Sequence, residues 1–138
     1  MSGDAESQKN RAIVLEAFDL LFNQRDYDAA ARLWSPDYIQ HSSHIAPGRA
    51  GLFDLVKGQP DTLRFEPNLA MADGDYVMIH GRFSGHGEPA PWIACDVVRM
   101  EGGVLKEHWD VIESESSRAE SASGLPMFGS DFPEERSA

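Results

Sequence analysis

The sequence predicts an α+β domain in which helices pack against one face of an antiparallel sheet. Three observations carry this. Apolar residues recur at helical spacing through the first half of the chain. They alternate with a period of two through the second half, and Gly- and Pro-rich punctuation separates the segments. At 138 residues the chain suits one domain, large enough to bury roughly two thirds of the surface its unfolded form exposes.

From Gln8 to Asn23, apolar residues fall at Ile13, Val14, Ala17, Phe18, Leu21 and Phe22. This i, i+3, i+4 spacing predicts an amphipathic helix with one broad buried stripe, and Ser7 is placed to cap it. Asp26 is placed to cap a second helix, Tyr27 to Leu33, with Ala30, Leu33 and Trp34 inward, and Pro36 stops it. Tyr38, Ile39 and His41 follow in an irregular segment. Pro47 and Gly48 open a third helix carrying Leu52, Phe53, Leu55 and Val56, and Gly58 ends it. The period then changes. Leu63, Phe65, Leu69 and Met71 read as an edge or bulged strand broken at Pro67, with Asp73-Gly74 as a hairpin turn. Tyr76 to Phe83, Trp92 to Met100 and Val104 to Glu113 complete a four-strand meander. Its connections are a loop holding Gly85, Gly87, Pro89 and Pro91, and a tight turn at Gly102-Gly103. Residues 1–113 are thus expected to form the domain. Residues 114–138 are expected to form an acidic extended tail, partly docked through the apolar run Leu125 to Phe128.

The net charge of -11, from 23 acidic against 12 basic residues, argues against nucleic acid and against anionic membrane surfaces as partners. No apolar run approaches the roughly 20 residues of a membrane span, and the N-terminal run has no apolar core of the signal-peptide type. The single cysteine, Cys95, reads as a small core residue and suits a reducing, cytoplasmic setting.

Several polar residues sit where strands are expected to be buried. Asp96 lies among Ile93, Ala94, Cys95, Val97 and Val98, so both faces around it are apolar. A buried carboxylate must be paired, hydrogen-bonded or protonated. Asp96 is therefore either a satisfied structural group or a functional one. His80 shares a half-polar strand face with Tyr76, Met78 and Arg82, and His108 and Asp110 share a face two residues apart. His41 and His44 have a spacing that a metal could use, and with His80 and an Asp they make a metal site an alternative. His86, between two glycines, reads as an exposed loop residue.

These stretches resemble the SnoaL-like branch of the nuclear transport factor 2-like superfamily. The resemblance is carried by Tyr38-Ile-Gln-His41, the Pro47-Gly48 helix start, Asp96-Val-Val-Arg99 leading through Gly102-Gly103 into Lys106-Glu-His-Trp-Asp-Val-Ile112, and Ala122-Ser-Gly-Leu-Pro-Met-Phe128. It is nearest the subgroup described as aldol-condensation-catalysing, or polyketide cyclase-like. Where that subgroup often has Asn-Pro after Gln-His and Asn-Gly in the tail, this chain has Ser42-Ser43 and Ser123-Gly124. The resemblance implies a cone-like, cystatin-like roll, with a curved antiparallel sheet wrapped around the N-terminal helices, and a homodimer formed through the sheet. It implies Asp110 as the acid/base group, with His80, His41 and Asp96 as further catalytic residues. Trp34, Tyr38, Trp92, His108 and Phe18 are expected against the substrate. The expected activity is cofactor-independent, with no metal: a cyclase, isomerase or dehydratase step on a small, partly apolar carbonyl compound. The alternative is a small-molecule binding protein without chemistry, because fold alone does not name a reaction.

Overall fold

A computed structural model describes residues 2–136, with side chains from residue 4; the last two residues of the tail lie outside that range. Helix α1 runs Ser2–Phe18 and continues through a π-helical turn, Asp19–Asn23. Ser7 does not cap it. It lies inside the helix, and its Oγ accepts from the Gly74 amide at 2.9 Å, tying the helix to a hairpin 67 residues away. Helix α2, Tyr27–Ala31, is capped by Asp26, whose carboxylate accepts from the Ala29 amide at 3.1 Å. Helix α3 is Gly48–Lys57.

Five strands form one mixed sheet in the order β1-β5-β4-β3-β2: β1 Trp34–Gln40, β2 Arg64–Asp73, β3 Tyr76–Ser84, β4 Trp92–Glu101 and β5 Val104–Ser114. The four-strand antiparallel meander is present as expected. Strand β1 is the addition, pairing parallel with β5. Its sequence, WSPDYIQ, neither alternates nor avoids proline. It is tolerated because β1 is an edge strand with an irregular register between Trp34 and Ile39. Pro67 likewise sits on an edge strand, beside the register shift in β2.

The helices cover one face of the sheet. Val14, Ala17, Phe18 and Leu21 pack on Val77, Ile79, Val98 and Leu105, with Phe65 edge-on to Phe18 at 5.2 Å. A bulge between Arg99 and Met100 resets the alternation of β5. Leu105, not Lys106, therefore fills the core on the side to which His108 and Asp110 point. Gly81 is where the sheet admits the Phe65 ring: a β-carbon there would sit 2.5 Å from Phe65 Cε1.

The tail lies on the opposite, outer side. Glu115 is buried and takes Arg82 Nε at 2.8 Å and Arg136 Nη1 at 2.6 Å. Phe128 and Phe132 are the buried anchors, whereas Leu125 is 69% exposed. Among the described residues, no helix is long and apolar enough to cross a membrane.

Candidate active site

Between the helices and the inner face of the sheet is a cavity of about 130 Å³. Its walls are mostly apolar: Phe18, Phe22, Trp34, Leu52, Val56, Leu63, Phe83 and Ile112. Strands β4 and β5 supply the floor. Asp96 and Asp110 are direct cross-strand partners. His108, one inward position away, completes a group whose ligand atoms lie within 4.8 Å of one another.

The hydrogen-bond network fixes the protons. Gln40 Oε1 accepts from the Ser42 amide at 3.0 Å, so it is the acceptor facing His108 Nδ1 at 2.6 Å, and Nδ1 carries its hydrogen. His108 Nε2 meets Asp96 Oδ1 at 2.7 Å. A single proton lies in that bond, either on the ring with an Asp96 carboxylate or on Asp96 with a neutral imidazole. Asp96 is 3% exposed and its Oδ2 has no hydrogen-bond partner among the described residues. Burial raises its pKa; the hydrogen bond and charge of His108 oppose the rise, and Asp110 adds to it. Asp110 is half-buried, and its carboxylate makes no hydrogen bond among the described residues. Tyr38 stacks on His108 at 6.3 Å. Burial pushes its hydroxyl well above the ordinary tyrosine range, with Trp34 and Gln40 beside it pulling the other way. It therefore remains a hydrogen-bond donor throughout the neutral range.

Of the residues singled out from sequence, Asp96, Asp110, His108, Tyr38, Trp34, Trp92 and Phe18 all line this cavity. His80 and His41 do not. His80 points to the outer face, pairs across strands with Cys95, and stacks under Phe128 of the tail at 6.2 Å. The reason is the two-residue period: β3 buries Val77, Ile79 and Gly81, which turns His80 outward. His41 sits past the end of β1 on the same outer side, bonded to Glu107 at 2.7 Å and stacked on Trp109 at 4.9 Å. The imidazole that meets Asp96 is thus His108. Cys95 is also half-buried on the outer face rather than in the core, and burial raises its thiol pKa.

Two cavity histidines escaped the sequence reading. His44, considered only as a metal ligand, lies edge-on to Trp92 at 5.8 Å, and His86 lies against the same indole at 4.5 Å. His41, His44 and His80 are divided between the two faces and do not form the metal set that their spacing suggested. Asp96, His108 and Asp110 are the group that could hold a cation, although His108 Nε2 is already committed to Asp96.

A model of the SnoaL-like domain matches residues 14–108. The chain belongs to the SnoaL-like family. No curated protein matches it. Among solved structures, a proposed ketosteroid isomerase from Kribbella flavida superimposes with a TM-score of 0.72 at 19% identity, over 92% of this chain and 97% of that one. AclR, a proposed hydroxylase from Streptomyces galilaeus, matches with a TM-score of 0.64 at 26% identity, over 78% and 81%. A proposed polyketide cyclase from Acidithiobacillus ferrooxidans matches with a TM-score of 0.62 at 20% identity, over 76% and 88%. The α+β fold of this SnoaL-like chain is thus shared with proteins assigned to different reactions.

Proposed function

We propose that this SnoaL-like protein is a cofactor-independent acid/base enzyme that moves a proton α to the carbonyl of a small, partly apolar compound, in an isomerisation, cyclisation or dehydration. The observation that carries the reading is the convergence of Asp110, Asp96, His108 and the Tyr38 hydroxyl on one apolar cavity. Removal of an α-proton needs a base at the carbon and a donor at the oxygen that becomes an enolate. Asp110, without a hydrogen-bond partner among the described residues, is the base. Tyr38 donates to the oxygen. Asp96 shares a proton with His108, so the floor need not hold two full negative charges on adjacent strands, and the pair can return a proton as the enolate collapses.

The names attached to the similar structures, an isomerase and a cyclase, support this class of chemistry without selecting within it. The outer sheet face leaves Leu69, Met71, Tyr76 and Val111 exposed, which supports a homodimer formed through that face. One cysteine without a disulfide suits a cytoplasmic setting.

The test needs no knowledge of the natural substrate. Proton exchange at the α-carbon of 1-tetralone in D2O, followed by NMR, is expected to be accelerated by the protein. In Asp110→Asn that acceleration should fall by about 10²-fold or more, with ligand binding retained. Equal rates in the two proteins would remove Asp110 from the mechanism. Binding without exchange in the wild type would favour the non-catalytic alternative.

A further inference from the structure

The two ends of the cavity differ chemically, and β4 carries one residue of each. Trp92 and Asp96 share the inner face four positions apart, ~13 Å at the rise of an antiparallel strand. Asp96 belongs to the floor. Trp92 is at the mouth, where His86 and His44 flank its indole. His44 Nδ1 is already bonded to Ser42 Oγ at 3.0 Å. His86 is not provided for. Both of its ring nitrogens are buried and neither completes a well-formed hydrogen bond among the described residues, although the Ser84 backbone lies close to the ring and the loop that carries it is otherwise largely exposed. Burial lowers the pKa of the ring, and Glu88 and the Ser84 backbone oppose this more weakly.

The loop is shaped to put His86 there. Gly85 and Gly87 both have positive φ, 69° and 85°, and a side chain at Gly85 would run into the Thr62 carbonyl. A buried, unpaired donor and acceptor calls for an explanation, and a ligand group would pair with it.

Charge narrows the ligand. The residues lining the cavity include Glu88, Asp96 and Asp110 but no lysine or arginine, within a chain of net charge -11. A carboxylate or phosphate would enter against that field and find no permanently charged cation to meet it. Size narrows it further. A cavity of about 130 Å³ holds roughly ten water-sized groups.

We propose that the cavity mouth is a second subsite and that the substrate is an uncharged, two-ended ketone. Its carbonyl lies at the Asp96–His108–Asp110 floor, a hydroxyl or amide is hydrogen-bonded by His86 and His44 beside Trp92, and a one- or two-ring apolar body lies between. The assignment of the carbonyl to the floor rests on the acid/base reading; the subsite at the mouth does not.

Three ketones of one shape test it: 1-tetralone, 6-hydroxy-1-tetralone and the 6-carboxylate, titrated by NMR against the full chain near neutral pH. The hydroxyl should tighten binding about tenfold over the parent, the size of one good hydrogen bond, and the carboxylate should bind more weakly than either. The gain should vanish in His86→Phe, which keeps a ring against Trp92. His44→Phe repeats the measurement should that variant not fold. A hydroxyl that adds nothing overturns the proposal. So does a carboxylate that binds tightest, a gain that survives in both histidine variants, or a failure of all three ketones to bind. Asp110→Asn separates the two readings. If it keeps its exchange activity while His86→Phe loses the hydroxyl preference, the base assignment falls and the mouth subsite stands.

Discussion

Replacing Asp96 by Asn measures what the protein spends to bury a carboxyl at the cavity floor. Asp96 is 3% exposed, with one oxygen bonded to His108 and the other unpaired. Burial, the largest influence, raises its pKa above the ordinary value near 3.9. A carboxyl whose folded pKa is raised stabilises the fold below the unfolded value, and that contribution is lost as pH climbs through the folded value. Between those limits native Asp96 keeps a proton that the same side chain has released in the unfolded chain. Wild-type stability relative to Asp96→Asn should therefore fall by about 1.4 kcal/mol per pH unit, and then level off. Asparagine can still donate its amide hydrogen to His108 Nε2, so the comparison isolates the charge. Urea denaturation of both proteins at half-unit steps from pH 4 to 7.5 gives the difference directly. A flat difference, or one that grows with pH, would mean that the imidazolium of His108 outweighs desolvation and that Asp96 is held as a carboxylate. That result would refute the expectation that Asp96, rather than the ring, holds the shared proton.

Three further outcomes follow from the packing. Glu115→Ala leaves Arg82 and Arg136 without their shared buried partner. It should cost about 3 kcal/mol in urea denaturation and expose the tail to proteolysis near Arg118; unchanged stability would mean that the tail is not anchored there. Gly81→Ala forces the Phe65 ring aside, with contacts of 2.5 and 2.7 Å to be relieved. A loss of about 1–3 kcal/mol is expected, read as a lower Tm, and an unchanged Tm would place the ring elsewhere. Sedimentation equilibrium should find a dimer, since Leu69 and Val111 are 55% and 76% exposed on the outer sheet face. Val111→Lys should then shift the population toward monomer, and a wild-type monomer at micromolar concentration would contradict the sheet-face pairing.

Much of the domain was legible because local chemistry dictated it. The helical stripe through Phe18 and Leu21, the Asp26 cap, the Pro47-Gly48 helix start and the Asp73-Gly74 and Gly102-Gly103 turns each depend on residues within a few positions of one another. Strand β1 was not legible. Its hydrogen bonds run to β5, some 70 positions along the chain, and at an edge Pro36 excludes nothing. The candidate site divides along the same line. A carboxylate amid the apolar residues of β4 had to be buried, so Asp96 announced itself. The identity of its partner did not.

The sequence alone determined that this chain has one helical layer, a hairpin-connected sheet, and a carboxylate, Asp96, on a strand too apolar to leave it in bulk water. These follow from periodicity and turn chemistry, which act over a few residues. Tertiary structure decided which imidazole meets Asp96 and which face each histidine takes, and it folded the Ser84-to-Pro91 loop so that His86 closes the mouth. A single residue of register or one bulge turns a side chain from the cavity to the outer surface, and those offsets are set by pairing between distant strands.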